Sequence, residues 1–170
     1  MGGAYRYCSN LTGSPVCGNN VINMHMTYQS CFNLIGSPVC GDNVTHMSQT
    51  YSYCFNLTGS PICGPNVINM YATYSNCSNL ASNGYFYSPK ISNVTYCFSS
   101  KNTSNKLSLY VPSGSTTLTT CLINNASSMV GENITWTDDT ATNGCYYNTA
   151  HNIYIYPVAN VAEARIANGD

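Results

Sequence analysis

The sequence predicts an α/β solenoid of about seven coils of about 23 residues, with short parallel strands on one face and short helices or helical turns on the other. Three observations predict it. First, near-identical units of 23 residues begin at Cys8, Cys31 and Cys54, each reading C-x2-L-x4-[VI]-C-G-x2-V-x2-M-x2-T-Y. Second, like residues recur at that spacing: Cys8, Cys31, Cys54 and Cys77; Tyr5, Tyr28, Tyr51 and Tyr74; Met24, Met47 and Met70. Third, the cysteine series continues through Cys97, Cys121 and Cys145 at spacings of 20, 24 and 24. A period of this kind lets each unit bury its apolar positions against its neighbours, so these residues form the expected structural ladder.

Each element follows from the pattern. Ala4–Cys8 matches Thr27–Cys31, so the chain opens partway through a unit. The apolar side of that first coil then needs a cover: a preceding region, a partner chain, or a copy of itself through self-association of the N-terminal coil. Within a unit, Asn43 can cap a short helical stretch. Val44, Met47, Tyr51 and Cys54 fall at i, i+3, i+7 and i+10, the spacing of one helical face. Helix propensity is poor there, given Asn, Thr, Ser and Tyr. The extended segment Gly59–Gly64 follows, with Val16, Val39 and Ile62 expected inward and Cys17, Cys40 and Cys63 turned to the opposite face.

The second half is less regular. Gly84–Tyr87, Leu107–Pro112, Asn133–Thr137 and Ile153–Pro157 alternate apolar and polar residues and are rich in β-branched and aromatic types, as strands are. The sequence therefore reads as one domain over residues 1–170. Residues 5–80 are regular repeats, 81–158 degenerate ones, and 159–170 a C-terminal cap with a short helix from Val161.

Charge is scarce, at 6% of residues against about 25% in an average soluble domain. The net charge is −1 and the five basic residues form no patch, which argues against nucleic acid and anionic membranes as partners. There is no apolar run long enough for a secretory leader or a membrane span. The ten cysteines read as free thiols, because a cysteine repeated at one position of a stacked unit is most simply a small buried residue. No C-x2-C or Cys/His zinc spacing occurs, so no metal and no cofactor is expected.

Candidate chemistry is thin. His25, His46 and His151 share no register. Asp138, Asp139 and Asn143 offer oxygens for a calcium ion, but without the spacing of a calcium loop. Eight N-x-[ST] sequons follow from the abundance of Asn, Ser and Thr. The stronger lead is aromatic. With Phe86, Leu109, Val111, Ile134, Trp136, Ile153 and Ile155 inward, their neighbours Tyr85, Tyr87, Tyr110, Thr135, Tyr154 and Tyr156 face outward on the sheet. Tyrosines on a rigid sheet supply contact area at low entropic cost, so these six residues are the candidate ligand-binding face.

The stretch from Asn43-Val44 through Met47 and Tyr51 to Cys54 and Leu57 resembles the BspA-like class of leucine-rich repeats. Leu107–Ser115 resembles the strands near the ends of such arrays. The resemblance implies a leucine-rich-repeat architecture and a role in adhesion or recognition, with no catalytic residues to transfer. Ser14, Ser37 and Ser60, each followed by proline, depart from the family's strand.

The resulting expectation is a non-enzymatic recognition or adhesion module that binds a protein or glycan on a cell surface. It would act outside the cell or on a virion exterior. The alternative is a structural part of a fibre, appendage or virion, such as a phage tail-fibre component, assembled by stacking one coil on the next.

Overall fold

The computed structural model describes residues 1–170. Its elements, in order, are β1 (Ile62–Cys63), β2 (Asn83–Phe86), β3 (Leu107–Pro112), α1 (Thr116–Cys121), β4 (Thr137–Asp139), α2 (Thr140–Asn143), β5 (Cys145–Asn148), β6 (Ile153–Val158) and α3 (Val161–Ala167). The strands form one mixed sheet of order β1-β2-β3-β6-β5-β4. β1, β2, β3 and β6 run parallel, whereas β5 and β4 are antiparallel to their neighbours.

This arrangement overturns the expected seven-coil leucine-rich-repeat solenoid. There are three short helices, and none precedes Thr116. Beyond β2, the strand that pairs with β3 is β6 and not the segment at Asn133–Thr137, which is outside the sheet except for Thr137 at the start of β4. The adhesion and tail-fibre readings rested on the leucine-rich-repeat resemblance, and they lose that support with the architecture.

The stretch expected to be helical is a ribbon of turns, for a reason visible in its hydrogen bonds. Thr27, Gln29 and Cys31 donate their N–H groups back to the carbonyls of Met24, Met26 and Tyr28. Met24, Met26, Tyr28 and Ser30 instead donate to His46, Ser48, Thr50 and Ser52 in the next repeat. Half the donors thus leave the chain sideways, and no i→i−4 ladder forms. Each repeat reverses through left-handed residues: Met26 and Ser30, Gln49 and Tyr53, Ala72 and Asn76, with φ between 50° and 63°. Gly3 holds the same place in the first repeat, the conformation glycine adopts without steric cost.

Like residues nevertheless meet in the first half. Asn23, His46, Asn69 and Asn93 are joined by parallel bridges. Tyr5, Tyr28, Tyr51 and Tyr74 stack at 5.2–5.7 Å with nearly coplanar rings. The hydroxyls of Tyr28, Tyr51 and Tyr74 each accept from the N–H and donate to the carbonyl of Val16, Val39 or Ile62, so every ring is bolted to the extended segment of its own repeat.

That bolt inverts the expected alternation. Pro15, Pro38 and Pro61 are buried, Val16 is 63% exposed, and Cys63 is fully buried. A proline can point inward here because its missing N–H is not called on by the neighbouring repeat. Asparagine completes the lateral bonding. Asn33, Asn56 and Asn79 donate to the carbonyls of Ser9, Phe32 and Phe55, and Asn43 and Asn66 to those of Asn19 and Asp42.

One core runs through both halves, from Met24, Met47 and Met70 to Leu109, Ile153 and Ile155, all fully buried. Burying each such side chain is worth about 1.5–3 kcal/mol.

Candidate functional site

The cysteine ladder is regular only at its start. Cys31, Cys54 and Cys77 are buried, and each thiol donates to the carbonyl of the tyrosine in the preceding repeat, at 2.9–3.1 Å. Cys8 is exposed, and all ten cysteines are free. Burial pushes the Cys54 thiol up to about 12 and that of Cys77 well above its ordinary value, which keeps both protonated and donating.

Beyond Cys77 the register slips by one residue. Tyr74 donates its N–H to Cys97 just as Tyr51 donates to Thr73, and Phe98 stacks on Tyr74 at 5.7 Å. Cys97 therefore occupies the threonine position of its repeat. Cys121 ends α1 and Cys145 begins β5, so neither continues the ladder. Lys101 stands where the next ladder cysteine would be. Its ammonium donates to the carbonyls of Asn102, Asn105 and His151.

The six outward residues do not form one open face. Tyr85, Tyr110 and Tyr156 lie in one row across β2, β3 and β6, with ring centroids 5.4 and 5.1 Å apart. Helix α3 packs over β2 and β3 and covers the start of that row. Tyr85 has no exposed surface, and its hydroxyl donates to the Asp170 carboxylate. Tyr110 donates to Asn168 at 3.4 Å, and Arg165 reaches the Tyr87 hydroxyl at 3.5 Å. Thr135 is outside the sheet, where its carbonyl accepts from Asn148.

Tyr154 and Tyr156 remain beyond the reach of α3. They line a cleft of about 520 Å³ with Lys106, Asp139, Asn143, Cys145 and Tyr147. The β5–β6 hairpin builds it: Tyr147 pairs with Tyr154 in antiparallel register, and their rings stack at 5.8 Å. The Lys106 ammonium sits 4.4 Å from the Tyr154 ring centroid and 5.9 Å from that of Tyr156. At the rim, Asn143 donates to Asp139 at 2.5 Å. Burial, then the neighbouring Cys145 and Tyr110, push Tyr156 up to about 12. Burial first and the Asp139 carboxylate second push the Cys145 thiol up. Tyr156 and Cys145 thus stay protonated and offer a hydroxyl and a thiol donor to the cleft.

Asp138 and Asp139, whose oxygens could serve a calcium ion, are occupied locally. Asp138 accepts from the N–H and hydroxyl of Thr140, which hold its carboxyl below its usual range. A second hollow, beside Asn20, Asn43 and Asn66, is less suited to a ligand, because the Asn43 and Asn66 amides are spent on backbone carbonyls.

Sequence reasoning missed Lys106, Asp139, Asn143, Cys145 and Tyr147 as one group. Placing Cys145 in the ladder concealed the hairpin. The signal was present, since Cys145–Tyr147 and Ile153–Tyr156 flank a short turn-rich stretch at Asn148–Asn152. Comparison with protein-family models, with curated proteins and with solved structures finds no match to this chain.

Proposed function

We propose that this protein is a non-enzymatic recognition module acting outside the cell, and that its ligand-binding surface is the tyrosine cleft at the β5–β6 end of the sheet. The reading rests on one observation: Tyr147, Tyr154 and Tyr156 converge there, on strands that fix their positions, beside Lys106, Asp139 and Asn143. Aromatic rings on a rigid scaffold bind at low entropic cost. The hydroxyls and the ammonium around them suit a ligand rich in hydroxyl groups, so a glycan fits better than an apolar peptide.

The proposal is tested by screening the protein on an array of immobilised glycans and comparing it with Tyr154→Ala. The variant is expected to weaken binding about five- to tenfold, the scale of losing one stacked aromatic contact of about 1–1.5 kcal/mol. Equal binding by both proteins, or no bound glycan at all, would overturn it.

A further inference from the structure

Five side chains of this protein are basic, and all but one are committed to acceptors within the chain. Arg6 donates to Gln29 and Tyr7, Lys90 to Asn66, Lys101 to three backbone carbonyls and Arg165 to Tyr87. Lys106 is the exception. It donates no hydrogen bond, and the molecule's ion pair joins His151 to Glu132 instead. The Lys106 ammonium is held against the rings of Tyr154 and Tyr156, inside the cleft. The acidic side of the cleft is in the opposite state, because Asp139 already accepts from Asn143. The hydroxyls of Tyr147 and Tyr154, half-buried on paired strands, also have no partner within the chain. What the cleft has left to offer is therefore a set of donors around one cation. The strongest complement to such a set is an anionic oxygen, since hydrogen bonds with an ionised partner are roughly twice as strong as neutral ones.

We propose, on the reading of this cleft as a glycan site, that its ligand is an acidic glycan whose carboxylate or sulfate pairs with the Lys106 ammonium. The hydroxyls of Tyr147 and Tyr154 donate to the same group or to neighbouring sugar oxygens. Two features prepare the cleft for this. The rings of Tyr154 and Tyr156 hold the ammonium in place before any ligand arrives, so less of the lysine's rotamer freedom is lost on binding. Asn143 engages Asp139 at the rim, and Lys106 forms no ion pair with that carboxylate, which leaves the cation free for an outside anion. A neutral sugar can meet the phenol hydroxyls but gives the ammonium no charged partner. Charge is thus what separates good ligands from poor ones here.

The test uses the whole protein on an array in which each acidic glycan, uronate-bearing or sulfated, stands beside its neutral counterpart, methyl-esterified or desulfated. The acidic member of a pair is expected to bind about tenfold more tightly, and that advantage to shrink as NaCl is raised from about 50 mM to about 0.5 M. Lys106→Met keeps the apolar stem against the rings and is expected to remove the advantage, whereas Lys106→Arg is expected to keep it. Binding confined to the uronates, or to the sulfated members, supports the proposal and identifies the anion that the ammonium takes. Glycans bound without regard to charge, or an acidic preference that survives in Lys106→Met, overturn the acidic ligand and leave the glycan reading standing. Polyglutamate bound as tightly as the best acidic glycan overturns both, because charge alone would then suffice. An array with no bound glycan overturns both as well.

Discussion

At the scale of single residues, the tyrosine hydroxyl carries more than its ring suggests. Tyr51 is fully buried, and its hydroxyl satisfies both the N–H and the carbonyl of Val39. Tyr51→Phe keeps the stacked ring but strands those two groups, so it is expected to cost about 2 kcal/mol in urea denaturation. Left-handed residues give the opposite handle. Gln49 has φ +55°, and its side chain is only partly buried. Gln49→Gly relieves that conformation and is expected to stabilise the protein by about 0.5–1 kcal/mol, whereas β-branched Gln49→Val destabilises it by a similar amount or more. Thermal melts of the two variants measure both effects. The sequence showed which residues meet, since Tyr28, Tyr51 and Tyr74 stack as their spacing implies. It did not show how. The i, i+3, i+7 pattern of Val44, Met47 and Tyr51 is shared by a helix face and by a ribbon that reverses every four residues, and nothing in the side chains marks Met26 or Gln49 as left-handed.

At the scale of elements, close approach of backbones is what locks the extended segments together. A Cβ added at Gly59 would collide with the Cα and Cβ of Ser37 in the neighbouring repeat. Gly59→Ala must push two backbones apart, and an expected loss of about 2–3 kcal/mol is readable from the urea midpoint. At Gly13, in the first repeat, an added Cβ meets no atom within 4 Å, so it would feel only the residue's own φ of +90°. The later strands were legible because Leu107–Pro112 and Ile153–Pro157 alternate cleanly, and Leu109, Val111, Ile153 and Ile155 are buried as that alternation requires. Their order was not legible. Period-2 alternation is the same in parallel and antiparallel strands, so the reversal at β5 is marked only by the turn-rich stretch at Asn148–Asn152 and not by the strands themselves. The cover that α3 places on Tyr85 was equally hidden. Alternation assigns a residue to a face of the sheet but does not say what packs on that face.

At the scale of the whole molecule, stability should depend on pH mainly in the alkaline range. Burial raises the thiols of Cys40, Cys54 and Cys121 to about 12, from 9.0 when free, and holds Tyr51 and Tyr74 well above 10.0. The folded chain keeps these protons while the unfolded chain releases them, so unfolding is favoured as pH rises through the free values. Stability is fully present below about pH 9 and is lost from there towards pH 12. Lys101, lowered to about 8 by burial, works the other way over pH 8 to 10.5, but it is one group against many. Each thiol contributes about 1.4 kcal/mol per pH unit in this window, so cooperative unfolding before about pH 11 is expected. The fluorescence of the single tryptophan, Trp136, would follow it.

The two-way lateral bonding in the first half has an electrostatic consequence. Within the turn ribbons the N–H groups that cross repeats face forward along the chain, as Met26 does to Ser48, whereas outside them they face back, as Thr45 does to Ile22 and Ile35 to Gly13. Peptide dipoles that oppose one another cancel, as they do between the strands of a sheet. The stack therefore has no strongly polar end, and a protein with so few ionised side chains gains little external field from its backbone.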